Sequence, residues 1–340
     1  MLLRLWRDDP ALHISHVAAN LQLPRWLDCI PYLRTIVRFP LYLAELVLGL
    51  READVAHIFS AAFSSFLIST VPAFCVSRIL GKKVLVNYRS GLAKKHLSAS
   101  WIARRILQRA DKVLVPSAYL VEVFREFHVM AQAIPNLVDL TLFSYRARDP
   151  LRPFLLCSRN LEPRYGIDLV LRAFSEVQKA FPEARLWVLG EGSQENAIRR
   201  LIAELNLTGV EMPGRVAREN VGRFYDKADI LVNASRVDNM PVSILEAFAS
   251  GLPVVTTDAG GIPYIVRHEQ TGLVSNTEDW RQLAANVIRL LHDSTLARRL
   301  TENAYQQSFT YHWGTVRQHW LRLYRELDHP PLDPGQGLVT

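Results

Sequence analysis

The stretch ILVNASRVDNMPVSILEAFASGLPVVT, residues 230–256, combines three patterns that together decide the fold. Ile230–Asn233 is a short apolar and β-branched run that predicts a strand, and Ser243–Ala249 is a longer apolar run that predicts a helix. Pro253–Thr256 predicts a second strand. Two strands joined by a crossover helix run parallel, so this stretch predicts a parallel sheet that is covered by helices.

The same alternation of strands and helices extends outward from this stretch in both directions. Further strands are predicted at Val55–Phe59, Lys83–Asn87, Lys112–Pro116, Pro153–Cys157, Ala184–Leu189 and Val210–Met212. Further helices are predicted at Ser100–Arg109, Ala118–Phe127, Ile167–Ala180, Gln194–Leu205, Asn220–Lys227, Trp280–His292 and Trp313–Leu327. We therefore expect an α/β protein with parallel sheets and helices on both of their faces.

The chain has 340 residues, which suits two domains of ordinary size. The two runs of alternating elements meet near a proline-containing cluster at residues 149–153, which is typical of a linker. We expect an N-terminal Rossmann-like domain over residues 1–148 and a C-terminal one over residues 149–310. An amphipathic helix over residues 311–328 is expected to pack back toward the N-terminal domain, and residues 329–340 are expected to form a flexible tail.

Charge is distributed unevenly between the two halves of the chain, whose formal net charge is +7. Residues 1–150 hold 19 Lys and Arg against 11 Asp and Glu, whereas residues 151–340 hold 21 against 22. The basic N-terminal half favours an anionic partner, such as a membrane surface or a lipid phosphate, although a solvated basic surface accounts for the same numbers. Nucleic acid is not predicted as a partner, because no zinc finger, RNA-recognition signature or aromatic-interleaved basic run occurs.

Cysteine usage and apolar runs bear on the cellular compartment. Cys29, Cys75 and Cys157 are far apart and lack metal-ligand spacing, so neither a disulfide framework nor a bound metal is predicted. Residues 1–10 carry charges of both signs and predict no signal peptide.

Ile58–Ser77 is 20 residues without a charge, which leaves a membrane span as an alternative. Its five serines favour a buried strand that leads into a loop and a helix. We expect a cytoplasmic protein with peripheral contact at the inner face of the membrane.

Four polar clusters follow predicted strands in the second half of the chain. They are Ser158–Gly166, Gly190-Glu191-Gly192, Pro213-Gly214-Arg215-Val216 and Asp238–Glu246. The carboxyl ends of parallel strands lie at one edge of a sheet, where open α/β folds bind their ligands. Gly190, Gly192 and Gly214 allow a ligand to approach the backbone closely. We therefore expect the four clusters to form one binding site.

The clusters carry groups that suit a phosphorylated ligand rich in hydroxyl groups. Arg159 has a planar guanidinium that matches phosphate oxygens. Val242 and Ser243 begin the predicted helix, whose first amides lack intrahelical partners and attract anions. Asp238 and Glu246 offer carboxylate oxygens that accept hydrogen bonds from hydroxyl groups.

The stretch from Phe154 to Val274 resembles the donor domain of glycosyltransferase family 4. That family has an arginine after the first strand of the domain, a Gly-Asp pair that opens the next helix, a G-x-G turn and a second glycine-containing turn. It continues with an E-x7-E element, an E-A-x-A-x-G-x-P-V-V run and a Gly-Gly turn. The matching residues here are Arg159, Gly166, Asp168, Gly190, Glu191, Gly192, Gly214, Asp238, Glu246–Val255, Gly260 and Gly261.

This resemblance implies the GT-B fold, in which two Rossmann-like domains with parallel sheets face each other across a cleft. It also implies a hexosyltransferase that uses a UDP-sugar or a GDP-sugar, retains the anomeric configuration and needs no bound metal or cofactor. The implied acceptor is a glycan or a lipid-linked glycan in polysaccharide or envelope glycan synthesis, held by the N-terminal domain.

The resemblance implies roles for individual residues as well. Arg159 matches the arginine that binds the diphosphate, Asp238 the acid near the transferred sugar, and Glu246 the acid on the ribose hydroxyls. These three residues form the implied catalytic set. The implied donor-binding set is Arg164, Gly190, Glu191, Gly192, Gly214, Arg215, Val242, Ser243 and Glu246.

The chain departs from the family pattern at several positions. Tyr165 stands where the family has a lysine, with Arg164 beside it as the substitute positive charge. Asp238 replaces a glutamate, and Pro241 replaces a glycine. No strand with a glycine-rich loop precedes Gly49, so the N-terminal domain is expected to lack its first strand and loop. These departures leave a non-catalytic nucleotide-sugar-binding or partner subunit as an alternative, and a sugar-nucleotide epimerase of the same architecture as a third.

Overall fold

The computed structural model describes residues 2–19, 33–60 and 62–328. The chain divides into two compact units. The first unit comprises the chain up to Ile134 together with the segment that begins at Arg317, and the second unit comprises Pro135–Val316. Each unit contains one sheet of parallel strands, with helices packed against it.

The first unit is built on a four-stranded sheet whose strands follow one another in chain order. The strands are β1 (Val55–Ser60), β2 (Lys83–Tyr88), β3 (Lys112–Val115) and β4 (Gln132–Ala133). The helices before and between them are α1 (Leu2–Arg7), α2 (Leu33–Arg51), α3 (Val71–Ile79), α4 (Ala93–Ala99), α5 (Trp101–Arg109) and α6 (Ala118–Arg125). Every residue of β2 after Lys83 is buried, as expected of a parallel strand that is covered on both faces.

The N-terminal part of this unit is helical. Before Val55 the described residues, 2–19 and 33–54, hold α1 and α2 and no strand. The expected lack of a first strand and loop stays a prediction, because residues 20–32 lie outside the described residues. Ile58–Ser77 forms the end of β1, a short π-helix at Phe66–Thr70 and the first part of α3. No helix within the described ranges has the length and apolar character that crossing a membrane requires.

The last helix, α13 (Trp313–Asp328), belongs to the first unit from Arg317 onward. Its buried face follows the i, i+4, i+7, i+11 spacing of an amphipathic helix. That face is formed by Val316, Trp320, Leu323 and Leu327. The hydroxyl of Tyr324 lies 2.7 Å from Nδ1 of His57 on β1, which ties the helix to the sheet. The flexible tail expected at residues 329–340 lies outside the described residues.

The second unit contains a six-stranded parallel sheet in the order β10-β9-β8-β5-β6-β7. The strands are β5 (Phe154–Ser158), β6 (Arg185–Leu189), β7 (Val210–Gly214), β8 (Ile230–Asn233), β9 (Val254–Thr257) and β10 (Leu273–Ser275). The helices are α7 (Ile167–Ala180), α8 (Glu195–Glu204), α9 (Arg218–Lys227), α10 (Val242–Ser250), α11 (Trp280–His292) and α12 (Ser294–Ser308).

The order of the strands reverses at β5, and this reversal positions the candidate site. From β5 the sheet grows through β6 and β7 toward one edge, and through β8, β9 and β10 toward the other. Where the strand order reverses, the connections leave the sheet on opposite faces and open a crevice between the carboxyl ends of two adjacent strands. Here those ends are Ser158 of β5 and Asn233 of β8.

Two apolar cores lie on opposite faces of the second sheet. Leu155 and Cys157 of β5 belong to one core, which α7 and α11 cover, whereas Leu156 belongs to the other core together with α10. Alternate side chains of a strand point to opposite faces, so the register of β5 decides the content of both cores. Full burial of such an aliphatic side chain is worth about 1.5–3 kcal/mol, which makes a one-residue slip costly.

The units divide at Ile134 and Pro135, earlier in the chain than the expected boundary between residues 148 and 149. The physical reason is that the segment after Pro135 packs against the second unit, where Phe143 is buried in a core. The side chain of Arg148 is 1% exposed and donates hydrogen bonds at 2.7–2.9 Å to carbonyl oxygens at the ends of α9 and α10. The accepting carbonyls are those of Tyr225, Ala228, Ser250 and Gly251. Helix ends leave such carbonyls without intrahelical donors, so Arg148 fixes the segment to the second unit.

Candidate functional site

A cavity of about 480 Å³ opens in the second unit at the carboxyl ends of β5 and β8. It lies where the reversal of strand order predicts a ligand crevice, and its size is that of a small-molecule site. The residues predicted from sequence that line it are Arg159, Gly190, Arg215, Asp238, Val242, Ser243 and Glu246. The predicted residues outside its lining are Arg164, Glu191, Gly192 and Gly214.

Arg159 is the first residue after β5, and its side chain is 12% exposed. Its Nη2 donates to Oδ2 of Asp238, and its guanidinium carbon lies 4.0 Å from the centre of the Tyr165 ring. That distance is within the range of a cation–π interaction. The Nε of Arg159 is buried and has no acceptor among the described residues, so the protein leaves this guanidinium only partly paired.

Asp238 lies in the loop between β8 and α10, and it is 7% exposed. Its Oδ1 accepts a hydrogen bond from the amide of Asn239 at 2.9 Å. Its Oδ2 accepts from Arg159, and the Ser235 hydroxyl lies 3.3 Å from Oδ2 while it donates its proton to Oδ1 of Asn233 at 2.9 Å. Both oxygens of this carboxylate are therefore engaged by groups of the protein itself.

Glu246 lies in the second turn of α10 and contacts the cavity with its carboxylate. The hydroxyl of Tyr225, a fully buried residue of α9, donates to its Oε2 at 2.7 Å. Burial raises the pKa of Glu246 to about 7, against the opposing effects of the Tyr225 hydrogen bond and of the positive charges on Arg218 and Arg159. Glu246 therefore changes its charge near neutral pH, which is unusual for a glutamate and common at binding and catalytic sites.

The first turn of α10 faces the same cavity. Pro241 precedes the helix and provides no side-chain cap, and the amide of Ile244 is already bonded to the Pro241 carbonyl at 3.2 Å. Val242 and Ser243 line the cavity, and the buried Ser243 hydroxyl has no partner among the described residues. The start of a helix carries partial positive charge, so this turn suits an anionic group.

Gly190 and Gly192 are required by the close approach of two loops. Gly190 has φ +127°, and a Cβ at that position would lie 2.2 Å from the carbonyl oxygen of Arg159. A Cβ on Gly192 would lie 2.4 Å from the carbonyl oxygen of Leu161. These glycines let the loop after β6 pack against the segment that carries Arg159, and so they shape the cavity through the backbone.

The predicted residues outside the cavity lining lie around it. Arg164 is exposed, and its guanidinium carbon is 4.9 Å from the centre of the Tyr165 ring. Glu191 pairs at 3.2 Å with Arg215 on the exposed rim. Gly214 ends β7 with φ +77°, and a Cβ there would meet open space. Among the described residues, no hydrogen bond or ion pair joins any of these residues to the enclosed Arg159–Asp238 pair.

The structure adds site residues that the sequence pattern did not predict. Tyr225 lies within a predicted helix, where the sequence gives it no special role, and its hydrogen bond to Glu246 joins residues 21 positions apart. The sequence identifies Tyr165 only as a replacement for the family's lysine, whereas in the structure its ring contacts Arg159. Within residues 2–19, 33–60 and 62–328, no group of three or more His, Cys, Asp or Glu side chains is placed to hold a metal ion.

Comparison with known families finds a match in the second half of the chain. Residues 145–307 match the family model described as "Glycosyl transferases group 1". Every residue of the cavity wall falls within the matched range. The matched range lies wholly within the second unit.

Two curated relatives show how far the likeness extends in sequence. The chain is 32% identical over 212 residues to the GDP-mannose-dependent monoacylated α-(1-6)-phosphatidylinositol monomannoside mannosyltransferase of Corynebacterium glutamicum, covering 56% of this chain and 55% of that protein. It is 30% identical over 206 residues to an exopolysaccharide phosphotransferase of Streptomyces coelicolor, covering 59% of this chain and 21% of that protein. The chain thus spans about half or less of the length of these relatives.

The likeness to solved structures extends over both units. The crystal structure of HepE from Anabaena in complex with UDP-glucose matches with a TM-score of 0.73 at 19% sequence identity, covering 84% of this chain and 82% of that one. At this identity the match shows the fold alone. The fold is the GT-B type of two Rossmann-like domains, as the family resemblance implied.

Proposed function

We propose that this chain is a retaining hexosyltransferase that moves a sugar from a UDP-sugar or a GDP-sugar to a glycan or lipid-linked acceptor in polysaccharide or envelope glycan synthesis. The observation that supports this best is one cavity that holds an arginine, two carboxylates and the first turn of a helix. The names of two similar proteins agree with such a donor, since one is GDP-mannose-dependent and the other was solved with UDP-glucose.

In this proposal the cavity binds the diphosphate of the donor. Breaking the bond between the anomeric carbon and the diphosphate oxygen leaves negative charge on the departing nucleotide. Arg159 and the first amides of α10 at Val242 and Ser243 line the cavity and are proposed to stabilise that charge. Such donors act more strongly on the transition state than on the bound donor, because the charge of the leaving group develops as the bond breaks.

Glu246 is proposed to accept hydrogen bonds from the ribose hydroxyls. Its carboxylate has one hydrogen bond from the protein, to Tyr225, which leaves acceptor capacity for a ligand. Because its pKa is about 7, this acceptor is fully ionised only above neutral pH. Donor binding is therefore expected to weaken as the pH falls from 8 to 6.

The remaining donor-binding residues are proposed in two groups. Gly190 and Arg215 line the cavity and contact the donor directly. The others support the loops and the rim around it, and they are Arg164, Glu191, Gly192 and Gly214. Asp238, which the family pattern places near the transferred sugar, lines the same cavity and pairs there with Arg159.

The acceptor side and the location are proposed from charge. Residues 1–150 carry 19 basic against 11 acidic residues, which suits a lipid-linked acceptor at the anionic inner face of a membrane. Co-sedimentation with vesicles tests this, and binding is expected to require anionic lipid and to fall as the salt concentration rises. Equal binding to neutral vesicles would contradict the peripheral cytoplasmic location.

The activity is tested by donor hydrolysis and sugar transfer with UDP- and GDP-sugars. Wild-type protein is expected to release nucleoside diphosphate, and Glu246→Ala to lose that activity, whereas Glu183→Ala, at an exposed glutamate outside the cavity, keeps it. Equal activity of Glu246→Ala and wild type would remove the assignment. Anomeric retention is read from the product by NMR.

The alternative is a non-catalytic nucleotide-sugar-binding subunit of the same fold. Tyr165 and Asp238, which replace family residues, favour it. Titration calorimetry separates the two proposals, because this alternative predicts binding of a UDP- or GDP-sugar with no turnover in the presence of any acceptor.

A further inference from the structure

We propose that Asp238 and Tyr165 form a clamp that fixes the Arg159 guanidinium in the donor cavity. Asp238 is then a positioning residue for the diphosphate-binding arginine and does not contact the transferred sugar. This inference rests on the proposed function, and it changes which residues of the cavity recognise the sugar.

The first observation is that the carboxylate of Asp238 is already occupied. Arg159 donates to its Oδ2 and the amide of Asn239 donates to its Oδ1, so each oxygen already has a donor of the protein, and the residue is 7% exposed. A carboxylate accepts about four hydrogen bonds, so lone pairs remain on both oxygens. Because the residue is enclosed, a sugar hydroxyl would reach those lone pairs only by displacing the pair with Arg159.

The loop that carries Asp238 is also fixed at its backbone. The Asp238 carbonyl accepts a hydrogen bond from the amide of Gly261 at 3.0 Å. A Cβ on Gly261 would lie 2.0 Å from the carbonyl oxygen of Asn239, so the two loops touch through a position that only glycine fits. A carboxylate on so constrained a loop can hold its partner in one orientation.

Tyr165 supplies the second part of the clamp. The guanidinium carbon of Arg159 lies 4.0 Å from the centre of the Tyr165 ring, and Tyr165 packs against the apolar core of the second unit. The turn that contains Tyr165 ends at Gly166, where φ is +61° and a Cβ would lie 2.0 Å from the carbonyl oxygen of Ala234. Ala234 directly follows β8 on the segment that leads to Asp238, so the ring and the carboxylate are tied to the same backbone contact.

The two contacts engage different parts of the guanidinium. Asp238 accepts from Nη2, and the Tyr165 ring contacts the guanidinium carbon. Neither uses Nε, which is buried and without an acceptor among the described residues. An arginine held in this way presents its remaining donors in a fixed direction, which lowers the entropic cost of binding a diphosphate.

The clamp and the sugar-contact role predict different binding patterns. If Asp238 positions Arg159, its loss weakens a nucleoside diphosphate and the matching nucleotide sugar by the same factor. If Asp238 contacts the sugar, its loss weakens only the nucleotide sugar. The comparison uses UDP with UDP-glucose and GDP with GDP-mannose, in whichever pair the wild-type chain binds.

The experiment is titration calorimetry on the full chain with Asp238→Asn, Arg159→Ala and the double variant. We expect Asp238→Asn to weaken both ligands of the pair about tenfold, as for loss of a charge-assisted hydrogen bond. The double variant is expected to bind as Arg159→Ala alone does, because Asp238 acts only through Arg159. A loss confined to the nucleotide sugar, or additive losses in the double variant, would overturn the clamp.

Tyr165 provides a second variant that does not remove a buried charge. Tyr165→Leu is expected to weaken both ligands about fivefold, whereas Tyr165→Phe, which keeps the ring, stays near wild type. Unchanged binding of both ligands by Tyr165→Leu would overturn the role of the ring. This test does not depend on whether Asp238→Asn folds. Wild-type protein that binds neither nucleotide pair would instead contradict the proposed function itself.

Discussion

The two sheets of the molecule are both parallel, but their strands are ordered differently. In the first unit the described strands follow one another as β1-β2-β3-β4, whereas in the second unit the order reverses at β5. The reversal opens a crevice, and the 480 Å³ cavity lies there. The comparison teaches that the reversal of strand order positions the cavity of the second unit at the carboxyl ends of its strands.

The two units also differ in the charge state of their buried titratable groups. In the first unit, burial lowers the pKa of His57 to about 3 and also lowers that of His96, so both imidazoles are neutral at pH 7. In the second unit, Arg159 and Asp238 form an enclosed ion pair, and the pKa of Glu246 is about 7. These two histidines of the first unit therefore pack as neutral rings against Phe59 and Phe66, whereas the second unit has ionisable groups beside its cavity.

The largest expected effect comes from removing the charge at the cavity. Arg159→Ala is expected to lower kcat/KM for sugar transfer by two to three orders of magnitude, about 3–4 kcal/mol in the transition state, because Arg159 is the cation proposed to stabilise the departing diphosphate. Arg172→Ala, on an exposed arginine of α7, is the control and should leave kcat/KM unchanged. A loss of less than fivefold in Arg159→Ala would break the link between cavity charge and activity.

Glycine-to-alanine variants in the two units are expected to differ in their free energy of unfolding. Gly190→Ala is expected to lower the free energy of unfolding by about 3 kcal/mol, because its Cβ would overlap the Arg159 carbonyl and φ is +127°. Gly81 of the first unit and Gly214 also have positive φ, at +69° and +77°, but a Cβ there meets nothing within 4 Å. Alanine at either position should cost about 1 kcal/mol. Urea unfolding of the three variants measures the difference, and equal costs would show that loop contact contributes nothing.

Acidity is expected to affect the cavity of the second unit in an unusual direction. The folded pKa of Glu246, about 7, lies above its ordinary value of 4.5, so the folded protein binds a proton more readily than the unfolded chain does. This group therefore favours folding at low pH, and its contribution is lost as the pH rises from 4.5 to 7, by about 3 kcal/mol in all. Glu246→Gln should remove that dependence in urea unfolding at pH 5 and pH 8, with Glu183→Gln as the unchanged control.

His57 is expected to give the opposite slope in the first unit. Its folded pKa, about 3, lies below its ordinary value of 6.5, so acidification favours the unfolded chain. Between pH 6.5 and pH 5 the first unit should lose about 2 kcal/mol of stability from this group. His57→Gln should flatten the slope, and His319→Gln, on an exposed histidine of α13, should not. Hydrogen exchange that resolves the two units during urea unfolding would show whether the slopes are opposite.

Much of the second unit could be predicted from sequence because its elements have strong local patterns. The helices Ile167–Ala180 and Trp280–His292 begin and end where their apolar periodicity predicts, and the predicted strand Ile230–Asn233 also has its observed bounds. The weak elements were missed, since β4 and β10 have two and three residues and α12 is largely polar. Such segments are stabilised by their neighbours, and local propensity does not identify them.

The site was predictable to the extent that its residues lie at strand ends. Arg159 and Glu246 line one cavity, as the spacing of strands and polar clusters indicated. The partners of these residues were not predictable, because Tyr225 bonds Glu246 from a separate helix, and the Tyr165 ring meets Arg159 only through the conformation of the turn between them. The assignment of Asp238 to the sugar came from a motif, and a motif does not show that Arg159 occupies the carboxylate.

The sequence by itself determined the alternation of strands and helices, the parallel character of the sheets and the set of loops that carry polar groups. These properties depend on the periodicity of apolar residues and on glycine, which act over a few neighbouring positions. Only the tertiary structure decided which polar groups are paired, where the chain divides into units and that the pKa of Glu246 is about 7. Hydrogen bonding and desolvation depend on atoms that are distant in the chain and adjacent in the fold, and that adjacency exists only after the cores have packed.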